Sequence, residues 1–213
     1  MTNLYFVRHA ESVGNVNKLI YSQKRDCDVE LSENGIKQSE SIISELRCLT
    51  MLDFRWHGLW YSPYIRAIQT KDIMKTGLEK GDCFAFEKMN VILREREWGD
   101  LQELSNKNAL SDYFFNFYHR PKDGESFADV YQRVMTFHQY ILSSEHSVYA
   151  INDHVIISHG EFLKVYMMFL LNWTIEEFDK FKTPRNAQVY HLYTYDNSVW
   201  YLNEKTPLIE RNK

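Results

Sequence analysis

Leu4-Tyr5-Phe6-Val7, followed at once by Arg8-His9-Ala10-Glu11-Ser12, decides how the rest of the chain is read. Four consecutive apolar residues ending on a charged pair describe a strand buried on both faces, with polar chemistry at its carboxyl end. The same construction returns twice. Gly58–Tyr61 runs into Ser62-Pro63-Tyr64-Ile65-Arg66-Ala67, and Val155-Ile156-Ile157 into Ser158-His159-Gly160. Helical patterns lie between these strands. Ser32 is placed to cap a run with Ile36, Ile42, Ile43, Leu46 and Leu49 apolar, and Pro63 suits the first turn of a helix carrying Ile65, Ile68, Ile73 and Met74. Phe127, Val130, Tyr131, Val134, Phe137 and Ile141 mark an amphipathic helix after Ser126, and Glu161–Leu171 a nearly uniform apolar one whose Met167 and Met168 belong to the core.

Val91–Leu93 reads as a third strand, residues 101–120 as helical, and Thr174-Ile175-Glu176-Glu177 as a capping box before a short helix. Ala187–Tyr193 and Val199–Leu202 read as closing strands, joined as a hairpin across Asp196-Asn197. Strands alternating with helices predict the α/β class with a largely parallel central sheet. In such sheets the ligand crevice lies outside the carboxyl ends of the strands.

Composition narrows the function. The 213 residues are 44% hydrophobic, 15% aromatic and 25% charged, with only 4 Pro and 8 Gly, which fits one domain without structureless linkers. Lys and Arg number 25 against 29 Asp and Glu, a net charge of −4, the wrong sign for a protein that lives on nucleic-acid phosphates. Cys27, Cys48 and Cys83 are few and far apart with no C-x-x-C, so neither a disulfide framework nor a cysteine metal site is expected. No signal-like start follows Met1, and the longest apolar run, Val165–Leu171, is far short of the roughly 20 residues that span a bilayer. The expectation is a soluble, reduced, cytoplasmic protein with no membrane and no nucleic-acid partner.

Two imidazoles and two guanidiniums at neighbouring strand ends suit phosphoryl chemistry. Guanidinium forks match phosphate oxygens, and flanking cations keep an imidazole neutral and nucleophilic. A second His can donate to phosphoryl oxygens as charge spreads over them. The leaving oxygen then needs an acid, for which Leu93-Arg94-Glu95-Arg96-Glu97 offers Glu95 and Glu97.

Taken together these segments resemble the histidine phosphatase superfamily, also called phosphoglycerate mutase-like. Arg8-His9-Ala10-Glu11-Ser12-Val13-Gly14-Asn15 is similar to its R-H-G-E-S-x-x-N motif, with Ala10 in place of the usual Gly. Leu31-Ser32-Glu33-Asn34-Gly35 with Gln38, the segment Ser62–Thr70 with Arg66, Leu93-Arg94-Glu95 with Gly99, and Ser158-His159-Gly160 follow the family order. Gly124–Val134 and Trp173–Phe178 resemble the plant and fungal members, a group that includes broad-range phosphatases. The resemblance implies a three-layer α/β/α fold with a mostly parallel sheet across residues 1–213. It implies His9 as the nucleophile that becomes phosphohistidine, with Arg8, Arg66 and His159 forming the phosphate pocket. Asn15, Ser12 and Gly160 stand at its edge, and Glu95 is the proton donor, with Glu97 as rival. It implies a small phosphorylated substrate, no metal and no organic cofactor.

The resemblance implies hydrolysis over mutase transfer, because the superfamily's mutases carry a long basic insertion between the acid segment and the GES-like segment, whereas the interval Gly99–Gly124 is short and only modestly basic. Arg94, Arg96, Arg120 and Lys122 keep the mutase reading in play as further cations, and a non-catalytic phospho-ligand module is the third reading. A mildly acidic optimum is expected if Glu95 must hold a proton for the first step. The aromatic segment Tyr113–Tyr118 reads as a lid or insertion within about 100–124. His154 reads as a turn or surface residue, and His57, His138, His146 and His191 as structural. The polar tail after Thr206 reads as frayed.

Overall fold

The computed structural model describes residues 1–50, 54–99, 116–143 and 151–205. The expectations for residues 101–115, for Tyr113, Phe114 and Phe115 of the lid, for His146 and for the tail after Thr206 lie outside the described residues.

Among the described residues six strands form one mixed sheet: β1 (Thr2–Arg8), β2 (His57–Tyr61), β3 (Phe86–Met89), β4 (Asp153–Ser158), β5 (Val189–Thr194) and β6 (Trp200–Leu202). Their order is β3-β2-β4-β1-β5-β6. β1, β2, β3 and β4 run parallel, with Asn3 opposite Asp153 and His57 opposite the same Asp153; β5 and β6 are antiparallel additions. The helices are α1 (Val13–Val16), α2 (Glu33–Thr50), α3 (Ile65–Lys75), α4 (Phe127–Leu142), α5 (Gly160–Leu171) and α6 (Ile175–Lys180).

The period-2 alternation of strand side chains divides the core in two. Leu4, Phe6, Trp60, Ile156, Tyr190 and Leu192 pack with α4, α5 and α6, while Tyr5, Val7, Leu59, Val155, Ile157 and Val189 pack with α2 and α3. A sheet covered on both faces is the three-layer α/β/α arrangement, and it explains why β1 and β4 read as unbroken apolar runs.

Capping chemistry sets the helix starts. Thr174 and Glu177 form a capping box for α6, as their spacing predicts, and Ser126 and Asp129 form another for α4. Tyr193 pairs with Tyr201 across the hairpin, whose turn places Asn197 at φ 62°.

Several expectations change. Val91–Leu93 is a 3-10 turn, because the Asn90 side chain accepts from the Ile92 amide at 2.9 Å and winds the chain there. The third strand is Phe86–Met89, a largely exposed edge strand that carries no apolar run. Helix α3 begins at Ile65 with Tyr64 as its cap, so Pro63 stands ahead of the first turn rather than in it. Ile36 faces solvent, while Ile42, Ile43 and Leu46 are buried. β5 begins at Val189, because Ala187 adopts φ 58° in a turn that donates its amide to the Arg8 carbonyl. His154 is buried within β4, where Nδ1 accepts from Trp60 Nε1 at 3.2 Å.

Candidate active site

The carboxyl ends of β1, β2 and β4 meet at one rim because these strands are parallel and share a register. β1 delivers Arg8 and His9, β2 leads through Ser62 to Arg66 on the first turn of α3, and β4 delivers His159 as the cap of α5. The rings of His9 and His159 lie 5.1 Å apart between centroids.

Two partners fix the His9 ring. Nδ1 is 2.7 Å from the Ala10 carbonyl, an acceptor, so the ring proton sits on Nδ1. Nε2 then carries a lone pair, which accepts from Arg66 Nε at 3.2 Å. Burial, then the charges of Arg66 and Arg8, hold the His9 imidazole well below its usual pKa. Burial and the same arginines do so for His159. Both rings are neutral at pH 7.

Ser62 orients His159. Its Oγ accepts from the Tyr64 amide at 3.3 Å and lies 2.7 Å from His159 Nε2. With the hydroxyl proton directed at Nε2, the His159 ring proton is on Nδ1. Among the described residues neither His159 Nδ1 nor Arg8 Nε has a partner, although both are buried. Leaving such a donor unsatisfied costs about 1–3 kcal/mol, and a phosphoryl oxygen would satisfy either one.

Arg8 is otherwise held by Nη1 donating to the Pro184 carbonyl at 2.6 Å. Burial lowers its pKa, with Glu95 pulling the other way. Gly160 makes its placement possible: a Cβ there would lie 3.1 Å from Arg8 Nε and Cζ and 2.4 Å from Thr183 Cγ2.

Glu95 is anchored at the start of α5. Its carboxylate accepts from the amides of Arg96 at 3.0 Å, Phe162 at 3.2 Å and Glu161 at 3.3 Å. Its segment is held from behind by Arg133, which donates to the Ile92 carbonyl at 2.5 Å and to Glu125 at 2.8 Å. The charge of Glu95 acts on Arg8 and on Tyr21. Glu97 instead accepts from the Tyr64 hydroxyl at 2.9 Å, and its side chain is 44% exposed. Of the two rivals, Glu95 is the one whose field falls on Arg8.

Ser12 and Asn15 form a reciprocal capping box on α1. Asn186, reaching in ahead of β5, donates to Asn15 Oδ1 at 3.1 Å and to the His9 carbonyl at 3.0 Å. These residues shape the chain around His9. Gln38 and Gln69 accept from the amides of Glu11 and Leu31, and Thr70 from that of Ala10 at 3.0 Å, so the polar motif positions tie α2 and α3 to the rim loops. Ala10 has no left-handed backbone, so its side chain costs nothing there.

Sequence reasoning missed Asn186, Tyr21 and Asp26. Asp26 places its carboxylate on the Arg66 guanidinium, Oδ1 at 2.9 Å from Nη1 and Oδ2 at 3.3 Å from Nη2. Tyr21 lies over Gly14, where a Cβ would come within 2.5 Å of its hydroxyl. Both belong to a stretch of 3-10 turns with neither strand nor helix periodicity to flag it. No group of three or more His, Cys, Asp or Glu placed to hold a metal ion occurs among the described residues, and no helix among them is long and apolar enough to cross a membrane.

Known proteins resemble this chain in sequence and in fold. Phosphoglycerate mutase-like protein AT74 of Arabidopsis thaliana is 26% identical over 204 residues, 87% of this chain and 63% of that protein. This chain thus spans less than two-thirds of that relative's length. Broad-range acid phosphatase DET1 of Saccharomyces cerevisiae is 30% identical over 107 residues, 46% of this chain and 31% of its own. In fold, a mycobacterial glucosyl-3-phosphoglycerate phosphatase solved with VO3 superposes with a TM-score of 0.74 at 23% identity, covering 95% of this chain and 98% of that one. A family model matches residues 4–205, and by that match the chain belongs to the histidine phosphatase superfamily, branch 1.

Proposed function

We propose that this protein hydrolyses phosphomonoesters in two steps through His9. The observation that carries the reading is the His9 ring itself. Nδ1 is tied to the Ala10 carbonyl and the lone pair of Nε2 faces Arg66, beside the unpartnered Arg8 Nε and His159 Nδ1.

In the first step Nε2 attacks phosphorus and the bond to the leaving oxygen breaks. That oxygen keeps the electron pair and takes a proton from Glu95. Arg8, Arg66 and His159 donate to the phosphoryl oxygens as charge moves onto them. The Ala10 carbonyl stabilises the positive imidazole ring of the intermediate. In the second step the Glu95 carboxylate takes a proton from water as its oxygen attacks phosphorus. The phosphorus–nitrogen bond breaks, the pair returns to Nε2, and inorganic phosphate leaves. His9, Arg8, Arg66, His159 and Glu95, with the Ala10 carbonyl, carry these steps, and a small phosphorylated molecule is the substrate.

The charge distribution favours water over a second substrate molecule as acceptor. Holding a doubly phosphorylated ligand needs spare cations. Three of the four further cations are engaged, Arg94 by Glu125 at 2.6 Å, Arg96 by Glu161 at 2.7 Å and Arg120 by Asp129 at 2.8 Å, which leaves Lys122 as the remaining candidate. The similarity to DET1, named a broad-range acid phosphatase, points the same way.

The test is hydrolysis of p-nitrophenyl phosphate with and without EDTA, by the wild type and by His9→Ala. EDTA-resistant turnover abolished in His9→Ala is the expected result. Full turnover by a folded His9→Ala protein would overturn it.

A further inference from the structure

The two pocket arginines are not equivalent. Arg8 spends Nη1 on the uncharged Pro184 carbonyl and keeps its charge for a ligand. Arg66 already faces a carboxylate, that of Asp26. Its Nη1 donates to both the main-chain carbonyl of Asp26 at 2.6 Å and Asp26 Oδ1 at 2.9 Å, Nη2 faces Oδ2 at 3.3 Å, and Nε donates to His9. Of five N–H donors, one on Nη2 remains uncommitted by these contacts.

We propose that Asp26 sets the charge of the pocket, so that it takes phosphomonoesters with an uncharged leaving group and discriminates against those bearing a second anion beside the phosphoryl group. The count supports this. Arg8 and Arg66 are opposed by Asp26, both imidazoles are neutral, and Glu95 holds the proton it donates in the first step, so one positive charge remains for the phosphoryl group and none for a second anion. Asp26 is built in rather than draped over the site. Its side chain is 14% exposed, and it opens a 3-10 turn whose main chain is held by the same guanidinium. Its field also reaches Tyr21, whose pKa is raised first by burial and then by the Asp26 charge. A carboxylate or second phosphate on the substrate meets this charge at short range, where water screens little.

Asp26 acts through Arg66 and is a positioning residue. Because substrate discrimination rests on the phosphatase reading, the test pairs kinetics with a binding measurement that needs no turnover. Calorimetric titration with inorganic phosphate is run on the wild type, Asp26→Asn, Asp26→Ser and Asp26→Glu, with melting temperatures recorded. Steady-state kinetics compare glycerol 3-phosphate with 3-phosphoglycerate, which differs by a carboxylate. We expect the two neutral variants to bind phosphate about tenfold more tightly and to raise the 3-phosphoglycerate to glycerol 3-phosphate ratio of kcat/KM about tenfold, through KM. Asp26→Glu should keep the wild-type ratio. Phosphate binding that is unchanged or weaker in both neutral variants, or an unchanged ratio, overturns the proposal. If the wild type hydrolyses neither ester, the hydrolase reading fails and the phosphate titration still decides the role of Asp26.

Discussion

Arg96 Nε donates to Glu161 Oε2 across 2.7 Å, and its guanidinium lies between the rings of Trp98, at 4.3 Å, and Phe127, at 4.1 Å. The arginine is 2% exposed. Burial pushes the Glu161 carboxyl up to about 7 against the pull of Arg96. At pH 8, where that carboxyl is ionised, Glu161→Leu leaves a buried cation uncompensated. We expect a loss of about 3–5 kcal/mol in urea unfolding, and a smaller loss when Arg96→Met is added. Equal losses in the single and double variants would contradict the pairing.

Removing the acid separates leaving groups. Glu95→Gln should slow an alkyl phosphate about 10²–10⁴-fold, the range of positioned proton transfer. p-Nitrophenyl phosphate should suffer less, because nitrophenolate leaves without a proton. The comparison of kcat for the two esters checks this. Glu97→Gln, altering a carboxylate bonded to Tyr64, should change both alike.

Acid destabilises this protein through buried neutral imidazoles. His138 is held at about 4 by burial, and His191 at about 4 by burial and by His57. Above about pH 6.5 neither state of the chain binds these protons, so no penalty arises. As pH falls below that value the unfolded chain takes up protons that the folded one refuses. Stability should drop about 1.4 kcal/mol per unit for each group until about pH 4. Denaturant midpoints between pH 7 and 4, in the wild type and in His191→Gln, measure the slope, which should be shallower in the variant.

Gly160→Ala tests the close approach to Arg8. The added methyl would lie 3.1 Å from Nε, so Arg8 or Thr183 must move. We expect KM for a phosphomonoester to rise about tenfold, as for a loss of about 1.4 kcal/mol of binding, with a modest fall in melting temperature. An unchanged KM would place the strain on Thr183 alone.

The sequence makes legible whatever rests on local pattern. β1, β2 and β4 announce themselves as apolar runs, and Thr174 as a cap, because burial on both faces and capping boxes each demand particular residues. Arg8, His9, Arg66 and His159 are legible as strand-end chemistry. β3 was not, since an exposed edge strand such as Phe-Glu-Lys-Met has no burial to enforce a pattern. Asn90 could have warned that Val91–Leu93 turns, its side chain being suited to cap. Asp26 and Asn186 come from irregular segments far from Arg66 and His9 in sequence, and only the tertiary fold brings them in. His154 looked superficial beside Asp153, yet the Trp60 indole gives it a buried partner.

The position of β1 also bears on the order in which the molecule can assemble. This first strand sits in the middle of the sheet, paired on one side with residues 153–158 and on the other with residues 189–194. Among the described residues it has no earlier partner. At ribosomal rates of roughly 5–20 residues per second, about 150 residues of synthesis leave Leu4–Val7 waiting for roughly 10–30 s. Among the described strands, β2 and β3 are the pair that can form in that interval. The strand that ends in Arg8 and His9 is then a nascent apolar segment in need of shelter, and the pocket cannot be complete before His159, Pro184 and Asn186 have been made.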